Sequence, residues 1–433
     1  MGTFSGIRLK FVIVLLLIAS LSFSKFCFAN EEEIKSQIQE LKARIQELEQ
    51  RLMQQEEKIG KQEELNKDLE KIKEAFRGLN ISAGITLITQ GTHNANGDTQ
   101  SPKEDVLDAS YSLDLTLEKE FEDYGKAFIH LETGDGAGVT DELKVFSNVN
   151  RDADDSDNEI SLTEAWYEHY LKSIPLTFTF GKIDPTCYID TNAYANDETT
   201  QFLGEIFRNS PTIEFPDNSF GLRFFLEPKE FLDINFTILD ADSDWEDIFD
   251  KTFIAGQLNF KPKLFNREGN YRIFGWLNDQ NHIRWLNPTE DKEENYGFGL
   301  SFDQEINDYL GVFLRYAWQS PKVTTALDSF SLEHAFSLGL QLKGNLWKRN
   351  DDILAIAFGE VFPSDDYKKY NELQGTLLEA KSEKHLETYY NFKVNEHLSL
   401  TPDIQLIWDP YGKDAINGDD TILVGGLRAQ VDF

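Results

Sequence analysis

The chain has 433 residues, with 76 Asp and Glu against 42 Lys and Arg, and a formal net charge of −34. Such an acidic chain lacks the basic patch of a nucleic-acid binder, so no nucleic-acid partner is expected. Its two cysteines, Cys27 and Cys187, fall on either side of a predicted export cleavage site, which leaves one thiol and excludes an intramolecular disulfide in the mature chain.

Arg8 and Lys10 precede an apolar run over residues 11–23, broken only by Ser20 and Ser22. Cys27-Phe28-Ala29 puts small residues where a signal peptidase needs them, so residues 1–29 read as a signal peptide cleaved before Asn30. The run is about 13 residues, short of the roughly 20 that cross a bilayer as a helix. No later segment holds a long apolar run, so membrane insertion would have to be as a barrel.

From residue 31 to about 76 the composition shifts to Glu, Lys, Gln, Leu and Ile, without proline. Ile34, Ile38, Leu41, Ile45, Leu48, Leu52 and Ile59 follow the alternating steps of four and three that make a coiled-coil seam. Leu65, Leu69, Ile72 and Phe76 resume it in a shifted phase, which predicts a local irregularity near Gly60. Residues 30–77 are therefore expected to form an α-helical coiled coil, roughly 65 to 70 Å long at the usual rise per residue. Such a seam needs a partner helix; the mixed core leaves dimer and trimer open.

Beyond Arg77-Gly78 the period changes to two. Leu232, Ile234, Phe236 and Ile238 alternate with Asp233, Asn235 and Thr237, and Tyr296, Phe298, Leu300 and Phe302 with Gly297, Gly299, Ser301 and Asp303. About sixteen such segments, at roughly 22 residues per strand and loop, suit an outer-membrane barrel with apolar rows to lipid and polar rows to a lumen. The predicted fold is all-β: a transmembrane antiparallel β-barrel of about 16 strands over 78–433, preceded by the α-helical coiled coil. Short turns such as Asn307-Asp308-Tyr309 and Asn395-Glu396-His397 fit the periplasmic side, and acid-rich loops such as 240–251 the outside. The last strand ends on Phe433, with Val424, Gly426, Arg428, Gln430 and Asp432 as its inward row.

A barrel of this width leaves an aqueous channel that something must narrow. Residues 184–218 lack clean alternation and mix polar groups with Phe202, Leu203, Ile206 and Phe207, which predicts a segment folded inward with one side against the wall. Gly181-Lys182-Ile183-Asp184, followed by Asp190 through Leu203, resembles the signature of the carbohydrate-selective OprB porin family. Trp347 to Asp352 with Ile356-Ala357-Phe358-Gly359, and Pro402-Asp403-Ile404-Gln405 with Asp409-Pro410, are similar to further family segments. The resemblance implies sixteen strands, a pore narrowed by inward loops, passive sugar uptake, a trimer, and a place in the outer membrane among lipid and lipopolysaccharide. The coiled coil resembles periplasmic extensions that reach the cell wall.

Candidate solute-binding residues follow from the chemistry of sugars. Asn192, Asn196 and Gln201 can donate and accept hydrogen bonds. Arg223, Arg272 and Arg315 lie on inward rows, where a guanidinium can hold sugar hydroxyls or loop carboxylates. Trp276 shares the row of Arg272 and could stack on a ring or simply pack in the wall. Asp197, Glu198 and Arg208 complete the expected constriction, Glu198 in a structural role.

A glycosidase would need two carboxylates flanking a sugar, which the adjacent pair Asp197-Glu198 does not supply by its spacing. No nucleophile elbow, His cluster or phosphate loop is present, so no enzyme is expected. Two further readings are a membrane-to-wall anchor and a porin for another solute. No cofactor or resident metal is expected; Ca2+ at acidic outer loops such as 152–157 is an alternative to plain solvation or lipopolysaccharide bridging.

Overall fold

The computed structural model describes residues 31–97, 104–153, 156–290, 292–327, 331–418 and 420–433. The predicted signal peptide, 1–29, and Asp154 and Asp155 of the acid run lie outside them. The chain divides into two compact units at Arg77/Gly78.

Among its described residues, the first unit holds one helix, α1 (Glu31–Phe76), of 46 residues. It runs unbroken through Gly60, so the expected irregularity is absent. A lone helical glycine costs only ~1 kcal/mol relative to alanine, and the Glu57–Lys61 ion pair at 2.7 Å spans it. The Glu47–Arg51 pair at 2.6 Å has the same favourable order, acid first. The seam residues Leu41, Ile45, Leu48 and Leu52 are all exposed on this single chain.

The second unit begins at Gly78, whose φ of +70° turns the chain out of the helix. Its barrel strands are β1 (Leu79–His93), β2 (Leu107–Glu120), β3 (Gly125–Asp135) and β4 (Ser161–Leu171). Next come β5 (Leu176–Ile183), β6 (Ser219–Lys229), β7 (Leu232–Asp240) and β8 (Thr252–Phe260). They continue with β9 (Arg267–Arg284), β10 (Glu293–Asn307), β11 (Leu310–Gln319) and β12 (Leu332–Lys343). The set ends with β13 (Ile353–Pro363), β14 (Glu383–Lys393), β15 (Leu398–Trp408) and β16 (Ile422–Asp432). Two-residue strands at Lys263–Leu264 and Val323–Thr324 pair with the ends of β9.

Every neighbouring pair is antiparallel, and β1 pairs with β16 in the register Leu87↔Ala429. The described residues therefore form a closed barrel of sixteen strands with no free edge. Connections alternate between short turns, such as 121–124, 230–231 and 308–309, and long loops, such as 136–160 and 184–218.

The surface is inverted relative to a soluble protein. Phe298 is 49% exposed and Ile404 52%, whereas Thr179, Thr237, Ser301 and Gln405 of the inward rows are buried. A belt of exposed apolar side chains around buried polar rows suits lipid outside and water inside.

Among the described residues, three apolar cores sit inside the barrel, each made by a loop against the wall. Phe202, Ile206 and Phe207 pack on Phe313, Ala335, Ala355 and Ala357. Ile189 and Ile213 pack on Phe253, Ala255, Phe274 and Trp276. Val139, Leu143 and Val149 of the 136–160 loop pack on Ile407, Ile422 and Val424. Where inward rows change from polar to apolar residues, a loop docks. Gly311 and Gly359 go further: a Cβ there would lie 2.1 Å from the Tyr194 ring and 2.5 Å from Ile206.

Candidate functional site

The 184–218 segment is built from local caps. Asp184 accepts from Thr186 N–H at 2.8 Å and starts the short turn Pro185–Cys187. Asp197 accepts from the N–H groups of Thr199 (2.9 Å) and Thr200 (3.3 Å), closing an Asx-type turn. Asn196 Oδ1 accepts from Asn192 N–H at 2.8 Å, and Gln201 Oε1 from Asn196 N–H at 2.7 Å. A single helical turn, α2 (Glu205–Arg208), buries Ile206 and Phe207.

Wall side chains then clamp the segment. Arg315 on β11 is 1% exposed and pairs with Asp190, which is 0% exposed, at 3.1 Å. It also donates to the carbonyls of Phe207 (2.6 Å), Asp190 (2.9 Å) and Ala195 (2.6 Å), and to Asn196 Oδ1 (3.3 Å). Arg428 on β16 donates to the carbonyls of Glu198 (2.7 Å) and Gln201 (2.9 Å). Glu387 on β14 accepts from the N–H groups of Leu203 (2.7 Å) and Gly204 (2.8 Å). Asp190 Oδ2 accepts from Ser210 N–H at 2.8 Å, tying the segment's two halves. Burial raises the Asp190 carboxyl above its ordinary range, and the Arg315 charge opposes that shift.

The 136–160 loop is held in the same way. Glu383 accepts from the N–H groups of Phe146 and Ser147, both at 2.9 Å, and of Tyr411 at 2.8 Å. Val149 O accepts from Gln405 Nε2 at 2.8 Å and from Gln90 Nε2 at 3.1 Å.

Two polar chambers flank the 184–218 segment, and Cys187 lines both. The larger, about 840 Å3, is lined on the long-loop side by Asp114, Glu132, Asp152, Glu164, Asp184, Glu198, Glu205, Glu214 and Asp217. These nine carboxylates face Arg151, Lys182, Arg208 and His130. Arg208 is already paired with Glu198 and bonded to Asn209 at 2.7 Å, and His130 lies 2.7 Å from Asp114. Asp152 is pushed well above the carboxylate range, first by burial and then by Glu198; the Ser112 hydroxyl, 3.0 Å away, pulls it back.

The smaller chamber, about 300 Å3, lies toward the short turns. Its polar lining includes Arg223, Arg272, Asn235, Gln257, Asn259 and Asn270, with Thr191 and one carboxylate, Asp233. Arg223 is fixed by Glu168 at 3.0 Å and Asn235 at 2.9 Å, and its guanidinium lies 4.3 Å from the Tyr188 ring. Arg272 pairs with Asp303 at 2.5 Å, and Asp303 also accepts from Ala193 N–H at 3.2 Å.

The ten residues singled out from sequence thus separate by place. Glu198 and Arg208 face the acid-rich chamber, and Arg223 and Arg272 the amide-rich one. Asn192, Asn196, Asp197 and Gln201 make the segment's internal and wall bonds; Asn192 Nδ2 reaches Ser301 Oγ at 3.2 Å. Arg315 serves the segment with its whole guanidinium, and Trp276 is enclosed by the core around Ile189. Sequence reasoning passed over Arg428, Glu383, Glu387 and the 136–160 loop. The available signal was no more than a charged residue on an inward row, as Glu383, Glu387 and Arg428 are.

The family model described as "Carbohydrate-selective porin, OprB family" matches residues 102–433. An uncharacterised protein of Aquifex aeolicus is 26% identical over 229 residues, 53% of this chain and 58% of that protein. Porin AaxA of Chlamydia abortus is 23% identical over 247 residues, 54% of this chain and 50% of that porin. The chain thus spans about half the length of these curated relatives. Among solved structures, the high-pH form of Pseudomonas putida OprB superposes with a TM-score of 0.70 at 15% identity, covering 82% of this chain and 94% of that one. The outer-membrane channel DcaP of Acinetobacter baumannii gives 0.52 at 13% identity, covering 82% and 97%. At these identities the structural likeness speaks for the fold.

Proposed function

The chain belongs to the carbohydrate-selective porin family OprB, and from that footing we propose that it is an outer-membrane porin for passive diffusion of carbohydrates and other small hydrophilic solutes. The observation that carries this reading is the pair of polar chambers, about 840 and 300 Å3, on either side of a segment clamped inside a closed barrel. The smaller chamber has the chemistry of sugar recognition: amides that donate and accept, two planar guanidinium groups, and the Tyr188 ring. The family and the fold mark a channel rather than an enzyme.

Purified into planar bilayers, the protein is expected to give channel steps that neutral sugars block. Absence of conductance overturns the porin reading, and conductance indifferent to sugars overturns the carbohydrate one. Arg223→Ala and Arg272→Ala are each expected to weaken sugar block.

The carboxylate excess of the larger chamber favours a second reading, a pore that prefers small cationic solutes. A salt gradient separates the two: reversal potentials should show cation over anion preference, and block by amino sugars stronger than by neutral sugars would favour the second.

The exposed seam of α1 supports self-association as a dimer or trimer. α1 runs in sequence directly into β1, whose first residues adjoin the short turn 121–124, and this order of elements supports a periplasmic coiled coil that reaches the cell wall. Deleting 31–76 tests this: lost envelope attachment with intact conductance identifies a separate tether. Lipid and lipopolysaccharide are the expected surroundings of the apolar belt.

A further inference from the structure

The loop between β7 and β8, residues 241–251, carries an unusual set of acids. One oxygen from each of Asp240, Asp242 and Asp250 lies within 4.8 Å of the others. Asp242 and Asp250 are exposed, but Asp240 is fully buried. Its Oδ1 accepts from Phe249 N–H at 3.2 Å, while its Oδ2 is buried without a hydrogen-bond partner. A buried carboxylate oxygen left unsatisfied is costly, and a bound cation removes that cost.

We propose that Asp240, Asp242 and Asp250 form a calcium site that locks this outer loop onto the exit of the 184–218 segment. Calcium takes flexible all-oxygen shells with bonds of about 2.3–2.6 Å, so two of its ligands stand at most about 5 Å apart. The convergence of the three oxygens fits that limit, and water would complete the shell.

The loop's other contacts explain why an ion here would matter to the pore. Trp245 and Phe249 pack on Phe220, with ring centroids 6.2 and 5.7 Å apart. Ser243 Oγ donates to Asp217 O at 3.1 Å, and Ser219 Oγ to Asp240 O at 2.6 Å. Asp217 and Ser219 flank the end of the inward segment, so the ion would fix the point where that segment rejoins the wall.

The test uses the full chain in detergent, stripped with a chelator. Calorimetry with Ca2+ is expected to show saturable binding with Kd of about 10−4 to 10−3 M, the range of extracellular sites. Tb3+ should give luminescence sensitised through Trp245 and displaced by Ca2+. Asp242→Asn with Asp250→Asn, both at exposed positions, should weaken Ca2+ binding at least tenfold. Trp245→Phe should keep Ca2+ binding and lose the sensitised emission. Asp114→Asn with Glu132→Gln, at a separate acid cluster, should change neither. Binding that survives the Asp242/Asp250 change, or no saturable binding up to about 10 mM, overturns the site. None of these readouts depends on conductance, so the porin reading stands or falls apart from it.

Discussion

Replacing Arg315 by alanine should open the constriction while leaving the barrel folded. Arg315 and Asp190 are both buried, and the guanidinium also serves three carbonyls of the 184–218 segment. Removing one partner of a buried pair typically costs ~3–5 kcal/mol, because the other charge is left uncompensated. Taking roughly 4 kcal/mol, and ~1.4 kcal/mol per factor of ten, the docked state of the segment loses on the order of a thousandfold in its equilibrium with undocked states. The wall does not share that loss. Arg315 sits opposite Ser301 and Ser337 in a ladder made by backbone groups, which the substitution leaves intact. Single-channel conductance in planar bilayers should therefore rise, with flickering, while circular dichroism and heat resistance stay those of the barrel. Arg315→Met combined with Asp190→Asn removes the stranded charge but leaves the three carbonyls without a donor, so its conductance should fall between wild type and Arg315→Ala; asparagine is chosen because residue 190 has φ of +60°, which it tolerates. A wild-type conductance in Arg315→Ala would refute the clamp.

Gly311→Val should also displace the segment, since even a Cβ at that position would lie 2.1 Å from the Tyr194 ring; higher conductance is expected, and an unchanged one means that Tyr194 has simply moved aside. Asp152 should titrate ahead of ordinary carboxylates as pH falls, because burial and then Glu198 raise it in the folded state. The folded form then binds the proton more readily than the unfolded one, so its contribution to stability falls as pH rises through that raised value. Cation preference, read from reversal potentials, should drop as pH falls through that raised value, and the step should be missing in Asp152→Asn; an identical titration in the variant removes Asp152 from the lumen's charge. Ile45→Lys with Leu48→Lys in α1 should abolish self-association of an isolated 31–76 peptide in sedimentation equilibrium, and an unchanged mass would rule out the seam as its contact.

The sequence by itself determined the parts that rest on local periodicity. The steps of four and three predict α1, and alternation of period two predicts the strands and which row faces lipid, because each pattern maps directly onto one face of one element. The break in alternation over 184–218, with Phe202, Leu203, Ile206 and Phe207 set among polar groups, was enough to mark an inward segment. The miss at Gly60 is of the same local kind: a phase shift in the seam predicts a local irregularity, yet good helix formers on both sides outweigh one glycine. What only the tertiary structure decided is which polar side chains meet water and which hold loops. An arginine on an inward row has the same pattern whether it lines the lumen, as Arg223 and Arg272 do, or is consumed by a loop, as Arg315 and Arg428 are. The difference is fixed by partners 125 residues away for Arg315 and Asp190, and 230 for Arg428 and Glu198. Those pairs exist only once the 184–218 segment folds across the lumen onto β11 and β16, and that docking is not encoded in any single stretch of the chain.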